Sequence, residues 1–163
     1  MKKILFVAVL ALASVMAFAQ PRAIGGRLGY GAQFSYQHAL GESNMVQLEV
    51  GVPGFWGIEA ACTYDWIDPF NAPVPWEEKG EWHWYMGVGG AVATYGWGFN
   101  NGFIGACGRI GIEYDFWFPL QLSIDFRPTL GCVIAGNNSG GVAAGFGYDV
   151  YAGGLGLGIR YKF

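Results

Sequence analysis

The chain has 163 residues, 53% hydrophobic and only 13% charged, with 28 glycines and a formal net charge of −3. That charged fraction is about half the ~25% usual in soluble domains, and the mild acidity gives no reason to expect nucleic acid as a partner. Cys62, Cys107 and Cys132 are odd in number, so they define no disulfide framework and read as small apolar side chains on strands.

The opening "MKKILFVAVLALASVMAFAQ" places Lys2 and Lys3 before an apolar run from Ile4 to Phe18 and ends on Ala17-Phe18-Ala19, the pattern of a cleaved secretory signal peptide. Residues 1–19 are assigned to that signal and 20–163 to one mature domain of 144 residues, with seven basic and twelve acidic side chains. No later apolar stretch approaches the ~20 residues of a spanning helix. Apolar mass without such a helix points to strands.

Alternation with period two recurs along the mature chain, punctuated by Gly, Pro and Asn. The first segment, 22–37, sets Ile24, Leu28, Tyr30, Phe34 and Tyr36 against Arg27, Gln33, Ser35 and Gln37. In 45–52, Val46, Leu48, Val50 and Val52 oppose Gln47 and Glu49; in 57–67, Ile58, Ala60, Cys62, Tyr64 and Trp66 oppose Glu59, Thr63 and Asp65. Segment 81–95, "EWHWYMGVGGAVATY", carries aromatic and small residues on both faces and has no clear polarity. The clearest strand is 102–116, with Ile104, Ala106, Ile110, Ile112, Tyr114 and Phe116 against Cys107, Arg109, Glu113 and Asp115. Segment 120–134 follows after "WFP", with Leu120, Leu122, Ile124 and Phe126 against Gln121, Ser123, Asp125 and Arg127. The last, 150–163, ends on "LGLGIRYKF", with Leu155, Leu157, Ile159, Tyr161 and Phe163 on one face and Arg160 and Lys162 on the other.

A soluble sandwich would bury its apolar faces and cover the polar ones with Lys and Glu, yet Lys79 and Lys162 are the mature chain's two lysines. The small, mixed-sign, Gly-rich polar faces suit the inside of a narrow barrel whose apolar face meets lipid. The expected fold is therefore an all-β, transmembrane, antiparallel up-and-down β-barrel. Seven segments are visible and bacterial barrels have an even number of strands; splitting the first at Gly29 to Ala32 gives eight, and an added strand within "GVAAGFGYD" is the alternative. Arg27, Arg109, Arg127 and Arg160 are expected inside, paired with Glu49, Glu59, Asp65, Glu113, Asp115 and Asp125, with Glu113 or Asp125 as the partner of Arg109. Trp66, Trp76, Trp82, Trp84, Trp97, Trp117, Tyr36, Tyr95 and Phe116 lie near segment ends, where rings can sit at headgroup level. "PGFWG", "GWGFNN" and "AGNNSGGVAAGFGYD" become extracellular connections; "HALGESN", "DPFNAPVPWEEKG" and "WFP" become periplasmic ones.

"FSYQHALGESN", "EWHWYMGVGG", "GIEYDFWFPLQLSIDFRP" and the terminal "LGIRYKF" resemble the small outer-membrane β-barrel proteins of Bacteroides-type Gram-negative bacteria, similar in plan to the OmpA and OmpX barrels. The resemblance implies the bacterial outer membrane as location, with lipid and lipopolysaccharide as surroundings. It also makes Tyr161 and Phe163 the C-terminal signal read by the barrel assembly machinery. It implies no catalytic or cofactor residue.

Function is expected to be structural or surface-binding, in a monomer whose filled lumen forms no open porin-like pore, with no enzyme activity and no cofactor. Two alternatives are a narrow ion channel and a lipid-modifying enzyme of the lipid A deacylase kind. The latter needs a nucleophile held by a base, and His38 and His83 are the two histidines available, with Ser35 and Ser43 near the first. No metal-ligand spacing or phosphate-binding loop is present.

Overall fold

The computed structural model describes residues 21–54, 57–69, 79–95, 101–136, 142–149 and 154–163. The proposed signal sequence, Trp76, Trp97 and most of the Asp68–Gly80 connection lie outside them. The described chain is all β: β1 (Pro21–Leu28), β2 (Gly31–Ala39), β3 (Asn44–Pro53), β4 (Gly57–Ile67), β5 (Glu81–Tyr95), β6 (Asn101–Asp115), β7 (Gln121–Phe126), β8 (Thr129–Gly136), β9 (Val142–Asp149) and β10 (Leu155–Lys162). All pairings are antiparallel, and β1 to β7 with β10 close into a ring of eight, sealed by β1–β10 and β5–β6.

The split at Gly29–Ala32 occurs as expected: Leu28 pairs with Ala32 across a tight turn. A strand also forms within "GVAAGFGYD", which corrects its reading as a connection, because β7 and β8 are successive pieces of one stave. Gln121 to Phe126 pair with Asp115 to Ile110, then Thr129 to Ala135 pair with Cys107 to Asn101. Pro128, which has no N–H to give a ladder, interrupts the stave. At that break the neighbour changes: β10 pairs with β7, β9 with β8, and the Arg127 amide donates to Gly154 O at 2.7 Å.

Register fixes the barrel's shape. From Arg27, pairing runs through Gln33, Gly51, Glu59 and Ala93 to Phe103 in one direction, and through Gly158 and Ser123 to Glu113 in the other. Phe103 and Glu113 are ten residues apart on β6, so the ring closes with a shear of ten, which for eight strands is a tilt of about 40°. Residues at equal height are therefore not register partners, and that offset decides who meets whom inside.

Side chains alternate across this wall with inverted polarity. On β10 every second residue from Leu155 to Tyr161 is exposed, whereas Gly156, Gly158 and Arg160 are buried. The ambiguous β5 resolves the same way, with Tyr85, Gly87, Ala91 and Ala93 inside and Met86, Val88 and Val92 outside. Apolar residues face outward on β6 from Ile104 to Tyr114, a band about 25 Å tall at this tilt. At the end where β1 begins and β10 finishes, Trp82, Tyr114, Phe116, Trp117 and Phe118 form a chain of rings with centroids 4.6–5.8 Å apart. Tyr161 and Phe163 stack edge-on at 5.2 Å beside them. Tyr30 and Tyr95 mark the opposite end. Strands β2, β4 and β6 finish at the ring-rich end and β1, β3, β5 and β8 at the other. Gly41, at φ +105°, closes the β2–β3 turn in a conformation that favours glycine.

Candidate functional site in the charged interior

The interior is polar because the inward parity of each strand is polar. All ten expected network residues line it: Arg27, Glu49, Asp65, Arg109, Glu113, Asp115, Asp125, Arg127 and Arg160 are buried, and Glu59 is partly buried near the Tyr30–Tyr95 end. Glycines on the same parity make the room. A Cβ at Gly156 would strike the Arg27 guanidinium, and one at Gly111 would come within 2.6 Å of the Tyr85 ring and hydroxyl.

Glu49 on β3 is the centre of the network. Arg109 Nη2 donates to its Oε2 at 2.6 Å, Arg127 Nε lies 3.4 Å from the same oxygen, and Arg27 Nε lies 3.6 Å from Oε1. Gln47 Nε2 adds a fourth donor at 2.8 Å. Arg27 reaches further, placing Nε and Nη2 at 2.9 and 2.7 Å from Asp125 Oδ1 and donating from Nη1 to Gln33 at 3.0 Å. Arg127 Nη2 pairs with Glu59, which also accepts from Gln33 at 2.9 Å. Three guanidinium groups thus face three carboxylates, each charge compensated by a charge-assisted hydrogen bond or ion pair.

The partner expected for Arg109 is corrected. Glu113 lies four residues along the same strand, about 13 Å away, whereas Glu49 faces Arg109 across the tilted ring. Asp125 is taken by Arg27. Glu113 instead pairs with Arg22, and Asp115 with Lys162 at 2.7 Å. Two other expected pairings also give way. Arg160 donates to Ser35 Oγ at 2.9 Å, Ser123 Oγ at 2.6 Å and Gln121 Oε1 at 3.3 Å, and no carboxylate lies within ion-pair distance of it among the described residues. Asp65 accepts from Thr63 at 2.8 Å and makes no ion pair with a described residue. Both stand below the Glu49 cluster, at a level where amides and hydroxyls face them.

Arg22 escapes a reading by parity. Its even number would place it outward with Ile24, but the register shifts between Pro21 and Ala23 and the bulge turns it inward. Lys162 shares the parity of Arg160, a signal that was readable. Gln37 and Gln47, both fully buried, bond each other at 3.2 Å and link Ser35 to the Glu49 cluster.

The histidines lie near the ring-rich end, away from the Glu49 cluster. His38 Nδ1 is 3.2 Å from the Tyr36 hydroxyl, and His83 Nδ1 is 2.6 Å from Asp68 Oδ2, with Glu81 at 3.7 Å from Nε2. Ser35 is engaged by Arg160 and Gln47. Among the described residues no group of three or more His, Cys, Asp or Glu could hold a metal ion.

The chain matches no protein-family model, and no curated protein or solved structure matches it. Its function has to be read from the barrel's own chemistry.

Proposed function

We propose that the chain is an integral outer-membrane β-barrel of a Gram-negative bacterium of the Bacteroides type, structural or surface-binding, monomeric and non-enzymatic. The observation that carries the proposal is the inverted polarity of the wall. Arg27, Gln37, Gln47, Glu49 and Asp65 are shut inside, while Leu157, Ile104 and Ile110 are 56%, 56% and 51% exposed. In water such a surface far exceeds the few hundred Å² of contiguous apolar patch a monomer tolerates. In a bilayer it is the required exterior, and the height of about 25 Å matches the apolar band of transmembrane barrels. The stacked rings at one end supply an interfacial girdle. Lipid and lipopolysaccharide are then its surroundings.

An eight-stranded barrel is just wide enough for its own side chains to fill. The Glu49 cluster fills it at mid-height, which favours a closed interior over a diffusion pore.

The three cysteines test the orientation directly. Cys62 and Cys132 are exposed and Cys107 is buried. In lipid vesicles a membrane-soluble maleimide is expected to label Cys62 and Cys132 and spare Cys107; labelling of Cys107 with protection of Cys132 would contradict the proposal. The terminal residue gives a second test. Phe163 is exposed, its amide donates to Arg22 O at 3.1 Å, and it packs on Tyr161 alone among the described rings. Deleting it is expected to reduce the amount assembled in cells while leaving the stability of the refolded barrel within about 0.5 kcal/mol, as for a surface change. Normal assembly of the deletion would count against a role for Phe163 as the assembly signal.

A further inference from the structure

β1 opens the described chain and β10 closes it, so no turn joins them and their ladder has to hold that junction of the ring. The ladder is short, with six register pairs against fifteen for β5–β6, and three of the six contain a glycine: Gly25 with Arg160, Gly26 with Ile159 and Arg27 with Gly158. A glycine brings no side-chain contact to a cross-strand pair. The seam therefore has little of its own to keep it shut.

We propose that Glu113 and Asp115 of β6 form a latch that holds this seam closed from inside the barrel. Both seam strands reach them. Arg22 of β1 is ion-paired with Glu113 and has Nη2 3.9 Å from Asp115 Oδ2, while Lys162 of β10 places Nζ 2.7 Å from the same Asp115 oxygen. β10 and β1 stand two and three staves from β6, so these contacts tie together strands that share no ladder. The bulge in β1 makes the reach possible. Pro21 pairs with His38 and Ala23 with Gln37, which leaves Arg22 as the extra residue, its side chain turned inward while its carbonyl still accepts from the Phe163 amide at 3.1 Å. Met45 Sδ, 3.2 Å from Arg22 Nη1, and Gln37 Oε1, at 3.4 Å, steady the guanidinium. Glu113 is fully buried and Asp115 nearly so, so withdrawal of either seam strand strips a buried carboxylate of its cation, which is costly. The latch is made of interior contacts and holds whether or not the outer wall meets lipid.

Hydrogen exchange read by mass spectrometry on the folded chain tests the latch, because opening one junction exposes its own amides and leaves the others protected. The double variant Glu113→Gln/Asp115→Asn keeps the side-chain volumes and removes both charges. Its amides within Pro21–Leu28 and Leu155–Lys162 are expected to exchange about tenfold faster than in the wild type, the scale of one charge-assisted hydrogen bond, while those of β3 and β4 keep the wild-type rate. Lys162→Gln removes the arm nearest solvent, where the lysine is 33% exposed, and is expected to give about threefold at the same two strands, as for a partly exposed ion pair. Folding of each variant is checked by circular dichroism, and Lys162→Gln decides alone if the double variant does not fold. Seam amides that exchange at the wild-type rate in a folded variant, or an equal acceleration in all four strands, would overturn the proposal.

Discussion

Glu49→Ala is expected to be the most damaging single substitution in the barrel, lowering stability by about 3–5 kcal/mol, the usual result of removing one partner from a buried ionic group. The reason is convergence. One carboxylate faces Arg109 at 2.6 Å, Arg127 at 3.4 Å and Arg27 at 3.6 Å, and all three guanidinium groups are shielded from solvent. Arg27 and Arg127 keep Asp125 and Glu59, but Arg109 has no other ion pair with a described residue. Its charge is left stranded at the centre. The urea midpoint of the refolded protein reads the loss, and Glu49→Gln, which keeps an acceptor and the volume but not the charge, should fall between wild type and alanine. A loss under about 1 kcal/mol for Glu49→Ala, the level of a solvent-exposed pair, would show that the interior is wet enough to screen its charges.

On the proposed membrane orientation, Ile110→Arg is expected to cost about 2–4 kcal/mol in a bilayer, because Ile110 sits midway along the outward run of β6, where that orientation buries a guanidinium in hydrocarbon. Its register partners are Met86 on β5 and Phe126 on β7, so no acidic neighbour can receive the new charge. The same change on a water-facing strand would lie within about 0.5 kcal/mol. Ile104→Arg, nearer the edge of the band, should cost less, since an interfacial arginine can reach headgroups. Equal and small costs at both positions would show that this face meets water.

Parity made most of the wall legible. Because strand side chains alternate strictly, "FIGACGRIGIEYDF" and "LGLGIRYKF" disclose which residues share a face before any partner strand is known. Which polar residues meet across the interior was not legible, since that depends on shear, a property of the closed ring and not of any one strand. Arg109 and Glu113 look like neighbours in sequence but stand on one strand at different heights, and Glu49 comes to Arg109 from the far side. Bulges are the second blind spot. The register shift at Pro21 and Ala23 brings Arg22 inside, and no local pattern signals it. Pro128 was visible as a break, yet its consequence, the transfer of pairing from β10 to β9, needs the neighbouring stave. In "EWHWYMGVGGAVATY" the small residues on both faces hid the parity, and the pairing of Tyr85 with Gly111 settles it.

The central claim is that this barrel wears its apolar face toward lipid, and gel migration before and after boiling, on fractionated cells expressing the chain, tests it most directly. The expected result is recovery in the outer-membrane fraction, solubilisation only with detergent, and a band whose mobility changes on boiling as the closed ring unfolds. A soluble, detergent-free monomer recovered from the periplasm, with the same mobility boiled or unboiled, would contradict it.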